Sequence, residues 1–282
     1  MRRIAWVLVL LAAWAGPAAA VGTDGRQTVR IGDVDLQVFT YHPNGCVPAG
    51  LLVVLHGLGR NAAGYREYAR PLADRFCLLV AAPLFDSSRF PTWRYQHGGI
   101  ADKGIVQDSA AWTGGIVLQL VDTLRREQGA PDLPYFLIGH SAGGQFLSRI
   151  AAFMPNQARR MVIANPSTWV EPSVETAAPY GFGGVPAADT LLRRYLAAPV
   201  TVLLGQEDTG SEDLSETPEA VAQGPTRIAR GERTFQAAAA VARAHGWAFG
   251  WRLVEVPGVG HSARSMFGAA QAAEALGLAA AR

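Results

Sequence analysis

The ten residues Tyr135-Phe136-Leu137-Ile138-Gly139-His140-Ser141-Ala142-Gly143-Gly144 constrain this chain more than any other stretch. An apolar run meets a Gly-x-Ser-x-Gly, and a helical pattern runs on over 142–153. A strand that turns this sharply into a helix forces the corner residue into a strained backbone conformation, and glycines on either side make room for the neighbouring chain. Ser141 at the corner would project its hydroxyl above a sheet. The helix N-terminus beneath it directs free amides and partial positive charge at any anion that develops there. Ser141 is therefore the candidate nucleophile, against the plainer reading of a chance glycine-rich turn.

Such a corner needs a buried sheet around it, and the rest of the chain supplies one. Short aliphatic or β-branched runs over 27–31, 36–41, 51–55, 77–81, 135–138, 161–164, 200–204 and 251–255 read as strands. Helical patterns over 62–73, 109–128, 142–153, 230–244 and 262–281 fall between or after them, as crossovers require. The expected class is α/β, with a mostly parallel eight-stranded sheet and helices on both faces. With 282 residues, 49% of them hydrophobic and 17% charged, the chain has enough apolar material for one large core. A single domain over 21–282 is expected.

Three segments, 83–104, 165–186 and 205–231, are rich in Gly, Pro and polar residues and read as loops at strand ends. In an open α/β sheet, ligands bind beyond the carboxyl ends of the strands. Trp93, Tyr95, Trp169 and Tyr180 in the first two segments are thus candidate substrate-binding rings. The competing reading buries the same rings as a satellite cluster under long loops.

A serine hydroxyl needs a base to take its proton, and the base needs an acid to hold its tautomer. His261 is the one histidine in a downstream strand-to-helix loop, Val256-Pro257-Gly258-Val259-Gly260-His261. The chain order Ser, acid, His confines the acid to 142–260. There the strand over 200–204 ends in Gly205-Gln206-Glu207-Asp208. Asp208 is preferred for its offset from the strand; Glu207 is the runner-up, with Glu212 and Asp213 as further rivals. An oxyanion would need two preset amides, and losing one such donor typically costs about 3–4 kcal/mol. Ala142 offers one. The turn His56-Gly57-Leu58-Gly59 offers the other, from Leu58 first and Gly57 second.

These motifs together resemble the α/β-hydrolase superfamily and, more narrowly, exported bacterial esterases related to polyhydroxybutyrate depolymerases and feruloyl esterases. The resemblance spans most of residues 27–282. It implies the α/β-hydrolase fold and carboxylic ester hydrolysis by Ser141, Asp208 and His261, with Leu58 and Ala142 as the oxyanion hole. It also implies no cofactor, and no metal site is expected. No appended polymer-binding module is expected, so the expected substrate is a small or oligomeric ester. Two other readings stay open: a serine peptidase or amidase of the same fold, and an inactive hydrolase-fold binding protein.

The first twenty residues carry Arg2 and Arg3, an apolar run over 4–15, then Pro17 and small residues at Ala18 and Ala20. That pattern reads as a secretory signal peptide, its run well short of the ~20 residues of a bilayer span. An exported, periplasmic or extracellular protein without stable membrane insertion is expected. The 25 basic residues fall to 23 without Arg2 and Arg3, matching the 23 acidic ones, so nothing attracts nucleic acid. Cys46 and Cys77 stand at the starts of two strand runs. If those strands are parallel neighbours, the two sulfurs meet at one end of the sheet, and an exported protein would bond them; two buried thiols are the alternative.

Overall fold

A computed structural model describes residues 22–278; the expected signal peptide lies outside the described residues. In chain order the elements are β1 (Thr23–Ile31), β2 (Val34–His42), β3 (Gly50–Leu55), α1 (Ala62–Phe76), β4 (Leu78–Pro83), and a small hairpin of β5 (Ala101–Asp102) and β6 (Ile105–Val106). Then come α2 (Gly114–Glu127), β7 (Tyr135–His140), α3 (Ala142–Phe153), β8 (Arg160–Ala164), α4 (Ala188–Ala197) and β9 (Val200–Gly205). The described chain closes with α5 (Pro218–Gln223), α6 (Arg227–His245), β10 (Arg252–Val256), α7 (Ala263–Gly268) and α8 (Ala270–Leu276).

The main sheet has eight strands in the order β1-β2-β4-β3-β7-β8-β9-β10. The pairings β1–β2 and β2–β4 are antiparallel, and every pairing from β4 across to β10 is parallel. Strands β3, β4, β7 and β9 are buried at every residue, which is why they read as unbroken apolar runs rather than alternating ones. Two cores sandwich the sheet. One packs α2, α3, α4 and α6 through residues such as Leu120, Phe146, Leu196 and Ala238. The other packs α1, α7 and α8 through Leu72, Met266 and Leu276. The chain leaves β3 toward β4 and later returns to β3's other side as β7, so a crevice opens where their carboxyl ends part.

Several boundaries differ from the sequence expectation. The helix expected over 109–128 starts later. A single 3-10 turn at Ser109–Ala111, capped by the Asp108 side chain, gives way to extended Trp112 before α2 begins at Gly114. The helix expected over 262–281 divides at Ala269, which is extended directly after Gly268. α4 forms where no element was expected, burying Leu192, Tyr195 and Leu196 on one short stripe. Its ten residues give too little periodicity to stand out from the loop before it.

Gly50 of β3 lies opposite Leu78 of β4, so the residues just before each strand share one end of the sheet. Cys46 and Cys77 are disulfide-bonded there, closing a 31-residue separation. On the chain-entropy estimate this crosslink is worth about 3–4 kcal/mol. Replacing both cysteines by serine should therefore lower the unfolding free energy by about that amount in urea titrations, with the far-UV circular dichroism spectrum at 25 °C unchanged.

Candidate active site

Ser141 has φ 58° and ψ −119°, a conformation that a non-glycine residue holds only when its surroundings impose it. They do so here. The Ser141 amide donates to the Ala164 carbonyl of β8 at 3.0 Å, and Gln145 donates back to the Ser141 carbonyl at 2.9 Å. A side chain at Gly143 would put its first carbon within 2.7 Å of the His56 carbonyl oxygen and closer still to that of Leu55. Glycine there lets α3 start directly against the end of β3. Ser141 is only 9% exposed, at the floor of an open cavity of about 410 Å³.

His261 reaches that floor from the loop after β10. Its Nε2 lies 3.0 Å from Ser141 Oγ, and its Nδ1 lies 2.7 Å from Asp208 Oδ2. Asp208, past the end of β9, is 1% exposed, whereas Glu207, Glu212 and Asp213 are exposed. Backbone bonds tie the two loops together: Gln206 donates to the Val256 carbonyl and Glu207 to that of Val259, both at 3.0 Å. The structure thus brings Ser141, His261 and Asp208 into one hydrogen-bonded chain. The carboxylate that sequence alone left among four candidates is the one turned inward.

Two supporting residues escaped sequence reasoning. Arg227, opening α6, is as buried as Asp208 and places Nη1 3.4 Å from its Oδ1. It also donates to the Gly210 and Glu212 carbonyls, which shapes the acid loop. Nothing in its local sequence marks it. Asn165 follows β8 in the left-handed region, φ 43°. Its Oδ1 accepts from the Gly205 amide at 2.9 Å and its Nδ2 donates to the Gly260 carbonyl at 3.5 Å, joining three strand ends. A polar residue directly after an apolar strand is the one signal for it.

The loop after β3 brings Gly57 and Leu58 to the same cavity. A side chain at Gly57 would run into the Tyr65 hydroxyl, which itself lies 3.3 Å from His140 Nδ1. Ala142, the first residue of α3, has an amide with no partner inside the helix. His56 anchors this loop: its Nδ1 lies 2.9 Å from the Gly57 carbonyl oxygen, and its Nε2 accepts from the Phe85 amide at 3.1 Å. These partners assign the proton to Nδ1.

The four rings expected at the substrate stand elsewhere. Tyr95 and Trp169 are fully buried: Tyr95 donates to the His56 carbonyl at 2.7 Å and stacks on Phe85, while Gln223 clamps the Trp169 backbone. Tyr180 is 7% exposed, with its hydroxyl 3.2 Å from Thr217 Oγ1. Trp93 is half-buried under Arg94. None of the four lines the Ser141 cavity, whose aromatic wall is Tyr65 and Tyr68 of α1, with Asn61, Asp213 and Arg264 at its edge. The long loops needed their own apolar centre, and their rings fill it. A larger cleft of about 760 Å³ opens at the far end of α3 by Trp112, Phe153 and Arg194, and its lining holds no histidine.

A strand-turn-helix corner with serine at its apex, a histidine and a buried carboxylate in downstream strand-end loops, and this sheet order define the α/β-hydrolase superfamily. The chain belongs to it. It is 34% identical to the poly(3-hydroxybutyrate) depolymerase LpqC of Bordetella parapertussis, covering 87% of this chain and 88% of that one with a TM-score of 0.81. Poly(aspartic acid) hydrolase-1 of Sphingomonas sp. KT-1 is 32% identical over 88% of this chain and 96% of its own, with a TM-score of 0.82. Mouse monoglyceride lipase is 31% identical over 133 residues, which are 47% of this chain and only 39% of the lipase. No family model matches the sequence.

Three histidines are held neutral. Burial pushes the His56 imidazole down to about 4 and, with the Arg149 charge, His97 down to about 3. Burial, with His261 and Arg227 nearby, pushes His140 well below the ordinary value of 6.5. All three protonate in the unfolded chain below about 6.5 but resist it when folded, so stability is full above that pH and falls as pH drops toward 4. His56 alone accounts for about 3 kcal/mol over that range. The urea midpoint should fall continuously from pH 7 to pH 4.5; Asp86, whose hydrogen bonds from Ser88 and Arg89 hold it near 2, adds its own loss only below about 4.

Proposed function

We propose that this protein is an exported serine hydrolase that cleaves carboxylic esters through an acyl-enzyme on Ser141. The observation that carries the reading is the hydrogen-bonded chain Ser141–His261–Asp208, with its serine on a strained turn at a helix N-terminus. In this mechanism Ser141 Oγ donates its proton to His261 Nε2 and attacks the ester carbonyl. His261 Nδ1–H stays donated to Asp208, which stabilises the imidazolium and fixes the tautomer. The amides of Ala142 and Leu58 bind the oxyanion, the loop after β3 bringing Leu58 to the Ser141 cavity. The imidazolium then protonates the departing alkoxide. Water, deprotonated by the same histidine, releases the acid and regenerates Ser141.

Export is supported by the residue pattern over 1–20 and by the Cys46–Cys77 disulfide, which persists in oxidising compartments. Among the described residues no helix is long and apolar enough to cross a membrane. The ester class is supported by the 34%-identical depolymerase, whose polymer is ester-linked. A second reading, amide hydrolysis, draws on the relative named for poly(aspartic acid), an amide-linked polymer.

A fluorophosphonate probe should label the wild type and fail on Ser141→Ala; equal labelling of both would remove Ser141 from the mechanism. Rates on a chain-length series of p-nitrophenyl esters beside matched anilides decide between ester and amide. Asp208→Asn should lower kcat by on the order of 10⁴-fold, through loss of the productive tautomer, while Glu207→Gln should leave it near wild type.

A further inference from the structure

Arg149, two turns along α3 from Ser141, is fully buried, and among the described residues no carboxylate pairs with it. Its Nη1 donates to the Thr168 carbonyl at 3.0 Å and to the Gln145 carbonyl at 3.3 Å, and the guanidinium lies 5.6 Å from the centre of the Tyr180 ring. Among the described residues its buried Nε and Nη2 have no hydrogen-bond partner. The two other large buried arginines differ. Arg227 has Asp208, and Arg230 spends its Nε and Nη1 on the carbonyls of Gly224, Ser167 and Ser215.

A buried cation without a counter-charge is costly, and natural interiors pair it. Two carbonyls and a ring face offset part of that cost for Arg149. Burial lowers its pKa only to about 10, so the group stays charged at neutral pH. Nε and Nη2 form the side of the guanidinium that grips an anion with two parallel N–H bonds. A third unpartnered donor, Thr113 Oγ1, is buried against the Gly98–Gly99 turn, the same turn that packs on Arg149 Cβ.

From this we infer that the Nε–Nη2 edge of Arg149 is a buried binding site for a small monovalent anion, a halide, that neutralises the guanidinium inside the fold. A water molecule could accept the same hydrogen bonds but would leave the charge uncompensated. The site is independent of the ester chemistry at Ser141.

Two measurements on the purified protein test it. Crystals grown in sodium bromide should show an anomalous peak within hydrogen-bond reach of Arg149 Nε and Nη2. At constant ionic strength, exchanging gluconate for chloride should raise Tm along a curve that becomes logarithmic in chloride as the site fills. Arg149→Lys, which keeps the charge but lacks the two-nitrogen edge, should lose that chloride response. Absence of the bromide peak overturns the proposal, as does a Tm that follows ionic strength alone; the bromide experiment needs no variant, so a poorly folding Arg149→Lys leaves it decisive.

Discussion

The close approach of α3 to the end of β3 is what the rest of the site depends on. Gly143 lies against the Leu55 and His56 carbonyls, so the helix begins at once where the strand stops, and Ser141 is left with φ 58° at the corner. A residue held in such a region costs roughly 1–3 kcal/mol and persists only when its neighbours over-determine it. Here the neighbours are the Ala164 carbonyl, the Gln145 amide and a helix buried along its whole length. The same contact sets the His56–Leu58 turn beside the serine, so one packing constraint positions both the hydroxyl and the loop that lines its cavity.

The partners of Ser141 come from far away in the chain. His261 is 120 residues downstream and Asp208 lies 53 residues before His261. Their meeting is a property of the parallel sheet, which delivers the ends of β7, β8, β9 and β10 to one side. Short ties then remove the remaining freedom: Asn165 bridges the ends of β8 and β9 to Gly260, and Arg227 holds the outer oxygen of Asp208. Cross-links of this kind place catalytic groups to within a fraction of an ångström, which loops alone do not.

The polar interior is equally organised. His56 and His140 are buried beside the site and, with the partly buried His97, are held neutral. Tyr95 and Phe85 stack on each other beneath the long loop after β4 and pack edge-on and tilted against the α3 residue Phe146. A loop of that length buries backbone that must find partners, and rings with one polar tip, such as Tyr95 bonded to His56, meet both demands.

Local chemistry made much of this legible before any coordinates. Runs such as Val200–Gly205 are apolar throughout because both faces are covered, and the turn Gly139 to Gly143 needs its glycines for steric reasons that operate within a few residues. By themselves those residues determined the sheet class, the serine corner and the histidine loop. What only the tertiary structure decided was which group faces which. Asp208 was separated from Glu207 by burial, and Tyr65 and Tyr68 displaced the four loop rings as the aromatic wall. Arg227 and the Nε–Nη2 edge of Arg149 carry no local signature, and Asn165 only that of a polar residue directly after an apolar strand, since burial and partnership depend on chain segments tens of residues away, which only the closed sheet brings together.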